Sequence, residues 1–219
     1  MSAALRSLAA VLARATQAQG RLRTNSDGMA ATEFAVIAPI LVSLFIGIVE
    51  VSYGYMLDSR VQQVAGSMAD LVARAETQIA PDDISDMMRA GSYIFAPFDQ
   101  DAASITVRQV NSSPTNPSWT KQAWSCTFTG SDSSLNCACS NSDFTVPPNL
   151  VNANDSVVVG EVLYDYKPIL FDYFLHRVLG SISDGSGGYN LRQSAYRKPR
   201  GNTAMLLQPN MTPCPAPTF

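Results

Sequence analysis

The chain has 219 residues, of which 46% are hydrophobic and 15% charged, with a formal net charge of −3 and a mean hydropathy of +0.03. That length suits one compact domain with appendages, and the charged fraction falls below the about 25% usual for soluble domains. Arg6, Arg14, Arg21 and Arg23 face only Asp27 within residues 1–28, while the remainder carries 11 basic and 17 acidic side chains, which excludes a basic surface for nucleic acid.

Residues 1–28 read as a basic leader, rich in Ala, Ser and Arg. A mitochondrial transit peptide shares that composition but does not predict the Gly-x-x-x-x-Glu-Phe that follows. A run without charge, 34–49, begins directly after Glu33. Residues 34–57 amount to about 36 Å of helix against a hydrocarbon core of about 30 Å, so 29–57 is expected to span a membrane. No small-residue cleavage pattern stands at the far end, so the segment is expected to be retained. No Lys or Arg occurs between Arg23 and Arg60, so the leader is expected to stay cytoplasmic and the chain after Tyr55 to be translocated.

Small residues recur at every fourth position of the span: Ala31, Ala35, Pro39, Ser43 and Gly47. Such spacing lets helices approach closely in lipid, where no hydrophobic force drives them together. Pro39 lacks an N–H, which favours a bend or a loosened turn. Glu33 is costly near a bilayer unless a cation meets it. Cleavage between Gly28 and Met29 creates an ammonium four residues ahead of Glu33, and that amine on one subunit can neutralise Glu33 on its neighbour.

The string "DGMAATEF", the apolar span with its early proline and the later Glu50 together resemble type IV prepilins, most closely the TadE-like pseudopilins of tight-adherence (Tad) pilus systems. The segments "VVVGEVLYDYKPIL" (157–170) and "RQSAYRKPR" (192–200) resemble late elements of the same family, whereas about 100–150 matches nothing. The resemblance implies that a prepilin peptidase cuts after Gly28, that Met29 becomes the mature terminus, and that Glu33 and Phe34 are the fifth and sixth mature residues. It also implies partners: other Tad pilins and pseudopilins, an inner-membrane assembly platform and the lipid bilayer.

Beyond the membrane the helix is expected to continue over 58–80, with a stripe of Leu57, Val61, Val64, Met68, Leu71, Ala75 and Ile79 for packing. A short helix is expected over 81–91, with Pro81 and the carboxylates Asp82 and Asp83 opening it and Gly91 closing it. Strands are expected at 104–110, 121–128, 156–166 and 189–197, with "NSSPTNPSW" as a hairpin loop between the first two. A helix is expected over 170–180, then a flexible "SISDGSGG", and a Pro-rich tail over 204–219. The pattern is α+β: a long N-terminal helix, then a small antiparallel sheet domain over 81–203.

Cys126, Cys137, Cys139 and Cys214 all lie on the translocated side, where disulfides are expected. Four cysteines allow three pairings; the favoured one joins Cys126 to one of the Cys137-x-Cys139 pair and Cys214 to the other. Catalytic chemistry is not expected. His176 is the single histidine and sits among apolar residues, Cys137-x-Cys139 supplies two metal ligands where a zinc site needs four, and "DGSGG" lacks the lysine and setting of a phosphate loop. No cofactor and no metal are therefore expected.

The combined expectation is a structural minor pilin or pseudopilin of the bacterial inner membrane, single-pass with a periplasmic C-terminal domain, which enters or primes a pilus and supports surface adhesion. The alternatives are a permanently anchored periplasmic binding protein that never enters a filament, and a cysteine-dependent periplasmic enzyme.

Overall fold

The computed structural model describes residues 29–75, 78–130, 134–168, 189–200, 205–206 and 213–219. Among these the elements are α1 (Met29–Ala73), β1 (Gln78–Ile79), α2 (Pro81–Ser92), a single 3-10 turn (Tyr93–Phe95), β2 (Ala103–Ser112), β3 (Thr120–Thr129), β4 (Ser134–Asp143), β5 (Ser156–Tyr166), β6 (Tyr189–Arg197) and β7 (Met205–Leu206). The class is α+β, as the periodicities predict. The expected helix over 170–180, with His176, and the glycine-rich 184–188 lie outside the described residues. The chain divides into two compact units, one ending at Val49 and one running Glu50–Phe219.

The helix α1 ends at Ala73, short of the expected Ala80. Its last carbonyl, on Ala73, accepts from the Arg200 backbone N–H at 2.9 Å, and Gln78 and Ile79 turn extended to pair in parallel with Met205 and Leu206. A helical 74–80 would forfeit both partnerships. The buried stripe also departs from expectation after Met68. Leu71 is exposed while Val72 is buried, and Ala65 and Ala69 are buried beside the stripe. A pattern of alternating steps of three and four drifts about 20° per seven residues around a 3.6-residue helix, so the buried line moves gradually off the expected positions. Helix α2 begins as its sequence dictates, with Pro81 at the first position, Asp82 and Asp83 in the first turn and Arg89 in the last.

In the head, Glu50–Phe219, five antiparallel strands stand in the order β4-β3-β2-β5-β6. Register places Ile105, Val107, Gln109, Trp124, Cys126, Phe128, Val158, Gly160, Val162 and Tyr164 on one face. Leu57, Val61, Val64, Met68 and Val72 of α1 and Ile84 and Met88 of α2 complete this core. At Gly160 sheet and helix approach closely: a Cβ there would sit 2.4 Å from the Ala65 carbonyl oxygen and 3.0 Å from the Ala69 nitrogen. Trp124 is buried and donates its indole N–H to Gln109 Oε1 at 2.8 Å, which satisfies its one polar atom.

The opposite face is half covered. Val110, Val151, Val157 and Val159 form a second cluster, with Phe144, Val146, Leu150 and Tyr196 packed on it. Beside it Glu161 accepts from Arg108 Nη2 at 2.7 Å and is also bonded by Arg192. The Arg108 guanidinium lies over the Phe144 ring, 4.9 Å from its centroid.

The strand β4 has no counterpart among the expected elements. It is polar and largely exposed, and two disulfides fasten it. Cys126–Cys137 joins register partners on β3 and β4 with Cα atoms 4.0 Å apart, and Cys139–Cys214 brings the tail to the strand. The second bond closes 75 residues of sequence against 11 for the first, so it removes more freedom from the unfolded chain. Thr218 is then held on Asn141 in both directions, its N–H donating to Oδ1 and its hydroxyl accepting from Nδ2. The favoured pairing of Cys214 with one of the Cys137-x-Cys139 pair thus straps the end of the tail to the sheet edge.

Candidate anchoring and assembly site

Residues 29–49 are the part of α1 that belongs to the first unit, and their large apolar side chains are exposed. Phe34, Val36, Ile37, Ile40, Leu41, Val42, Leu44, Phe45 and Ile48 are all more than half exposed. One 18-residue window of α1 is long and apolar enough to cross a membrane, and none of that window is buried. Residues 29–49 make about 32 Å of helix, and every backbone group in such a span must be satisfied within the helix. The helix runs through Pro39 without interruption. Side chains back-bond where they can: Thr32 Oγ1 donates to the Met29 carbonyl and Ser43 Oγ to the Ile40 carbonyl, each at 2.8 Å.

The expected assembly residues take the following places. Gly28 lies outside the described residues, and Met29 opens the helix, 59% exposed. Glu33 and Phe34 project outward and are exposed. Ala31, Ala35, Pro39, Ser43 and Gly47 are outward or half-buried, and a Cβ on Gly47 would meet nothing within 4 Å. Their four-residue spacing turns about 40° per step, so the row winds nearly half-way round the helix. It is open to contact along its length.

All four cysteines are in the two disulfides, with none free. The Cys137-x-Cys139 pair therefore offers neither a thiolate nucleophile nor metal ligands in this state.

A seam of polar contacts where the head begins was not legible in the sequence. Glu50 Oε1 accepts from the Tyr166 hydroxyl at 3.0 Å, Asp58 Oδ1 from Gln193 Nε2 at 2.8 Å, and Arg60 Nη1 donates to the Ile94 carbonyl at 2.6 Å. These join α1 to β5, β6 and the 3-10 turn. Around the Glu50–Tyr166 contact, Glu50, Tyr53, Phe98, Tyr164 and Tyr166 line an open cavity of about 830 Å³. Tyr53 and Phe98 meet edge to face, with centroids 6.1 Å apart. In the sequence this region shows as the cluster of Asp165 and Asp172 with Tyr164, Tyr166 and Tyr173, which a solvated strand-to-helix corner explains as well as a site.

Two hydroxyls in this seam resist ionisation. Burial, then the nearby Asp99 carboxylate, pushes Tyr164 up to about 12; burial, then the hydrogen bond to Glu50, does the same to Tyr166. A folded-state value raised above the ordinary tyrosine value of about 10 contributes stability that is complete below pH 10 and lost as pH climbs toward 12. Thermal melts of the full chain in bilayer discs should thus hold level up to about pH 10 and then fall, and Tyr164→Phe with Tyr166→Phe should flatten part of that fall. A double variant with the wild-type alkaline slope would disprove the assignment.

Residues 28–70 match the family model described as TadE-like protein. No curated protein and no solved structure gives a significant match.

Proposed function

We propose, from the match of residues 28–70 to the TadE-like family model, that the protein is a Tad pilus-associated chain acting as a minor pilin or pseudopilin. In this reading a prepilin peptidase cuts after Gly28, residues 29–49 hold the product in the bacterial inner membrane, and the head faces the periplasm. Extraction into, or beneath, a filament then proceeds by exchanging lipid for the helices of neighbouring pilins. The role is structural, in assembly or initiation and in surface adhesion, and involves no catalysis.

The observation that carries the reading is the contrast along α1. Leu57, Val61, Val64, Met68 and Val72 are fully covered by the head, while nine large apolar side chains from Phe34 to Ile48 are more than half exposed. A soluble protein would have to hide the second group; lipid and then partner helices do so here. Glu33, outside the apolar run, supplies the complementary charge for a neighbour's Met29 amine.

A permanently anchored periplasmic binding protein would share the exposed helix but not the processing. Mass spectrometry of the protein from peptidase-competent cells should find Met29 at the terminus; an intact residue 1 or 2 would favour the anchored reading. Glu33→Ala should leave insertion and cleavage unchanged but lower the amount recovered with filaments at least tenfold, since about 1.4 kcal/mol per lost contact suffices for that. Normal recovery would refute the charge pairing.

A further inference from the structure

The geometry points to a carbohydrate-binding cleft at the end of the sheet opposite Glu50, with Trp119 as its stacking platform. Register fixes the location. The strands β2 and β5 pair from Ala103 with Tyr164 at the Glu50 end to Asn111 with Ser156 at the other, and Ser112 pairs with Thr120 beyond. The hairpin loop 113–119 and the end of β4 therefore share the far edge of the head.

Trp119 is 63% exposed, although its neighbour Thr120 is buried. An exposed indole on a loose loop would mean little, but this loop is internally bonded. The Ser113 N–H donates to the Trp119 carbonyl at 2.8 Å, the Trp119 N–H to the Asn116 carbonyl at 3.0 Å, and the Ser118 N–H to Asn116 Oδ1 at 3.0 Å. The backbone that carries the indole is thus fixed, so that binding does not have to order the loop. Phe144 and Phe219 form the other walls of a cleft of about 370 Å³, whose rim carries Ser118, Lys121 and Asp143. Phe219 is kept there by the tail strap: Lys121 Nζ donates to the Thr218 carbonyl at 2.7 Å and lies 6.0 Å from the Phe219 ring centroid.

The chemistry of the cleft selects its ligand. Lys121 donates to the Thr218 carbonyl, and its register partner Asp143 carries the opposite charge, so the rim has no net charge to favour a strongly charged ligand. A neutral pyranose has an apolar C–H face for the indole and edge hydroxyls for the Asp143 carboxylate and Ser118 hydroxyl, and the volume suits a mono- or disaccharide. This property belongs to the head and does not depend on whether the chain enters a filament.

Iodide quenching of the full chain in phosphatidylcholine discs reads the site directly. Trp124, the other tryptophan, is 1% exposed and shielded from iodide. Among glucose, galactose, mannose, N-acetylglucosamine and their disaccharides, at least one at millimolar concentration should protect Trp119 from iodide. Calorimetric affinity for that sugar should fall at least about tenfold in Trp119→Ala and by less in Trp119→Tyr, which keeps a flat aromatic face. Failure of the whole panel to protect, or unchanged affinity in Trp119→Ala, would overturn the assignment. So would a Trp119→Ala chain that binds no sugar differently but is lost from filaments, because the cleft would then be a subunit contact.

Discussion

Gly160→Ala should destabilise the head by at least about 3 kcal/mol, toward the upper end of overpacking costs and a large part of the 5–15 kcal/mol typical of a domain. The new methyl would meet the Ala65 carbonyl oxygen at 2.4 Å, and that oxygen is fixed in the middle of α1. A flexible side chain could swing aside, but a helical carbonyl moves only with its helix. Shifting α1 would open space around Leu57, Val61 and Val64, which are now fully buried. Removing the lesser contact, the Ala69 Cβ at 3.1 Å, should therefore not help. Chemical unfolding of Gly160→Ala and of Gly160→Ala with Ala69→Gly checks this: full rescue by the second change would show that side-chain crowding, and not the backbone, sets the limit.

Glu161→Leu should cost about 3–5 kcal/mol, whereas Glu161→Leu combined with Arg108→Met should lie within about 2 kcal/mol of wild type. The Glu161 and Arg108 side chains are only 10% and 18% exposed. With Glu161 gone, Arg108 would keep Gln122 at 3.4 Å and the Phe144 face, while its charge stayed out of water. Its Nε already has no hydrogen-bond partner among the described residues, so the group has little reserve. Arg192 is 68% exposed and can return to solvent without cost of that size. A double-mutant cycle by urea unfolding measures the coupling. Equal losses in the single and double variants would mean that shape at this position matters, and charge does not.

Much of the architecture was legible because it rests on local pattern. The strands expected at 156–166 and 189–197 appear with those bounds, since β-branched and aromatic runs bounded by turn residues leave little choice of register. Helix α2 extends one residue past its expected end, as its proline, acids and glycine direct. By contrast, "SLNCACSNSD" contains one strongly apolar residue and shows no strand signal of the ordinary kind. What makes it β4 is its partner: Leu135, Cys137 and Cys139 face Phe128, Cys126 and Trp124 across the ladder. The two-residue spacing of the cysteines, which puts both on one face, was the available clue.

By itself the sequence determined the exposed apolar helix with Glu33 at its mouth, because a long uncharged run has one stable environment whatever the rest of the chain does. It also determined the class of fold. The end of α1 at Ala73, the Glu50 to Tyr166 contact, the buried Arg108 to Glu161 pair and the Trp119 cleft were decided only by tertiary structure. Each joins residues far apart in the chain, and hydrophobic periodicity specifies which face turns inward without specifying which polar group will be waiting there.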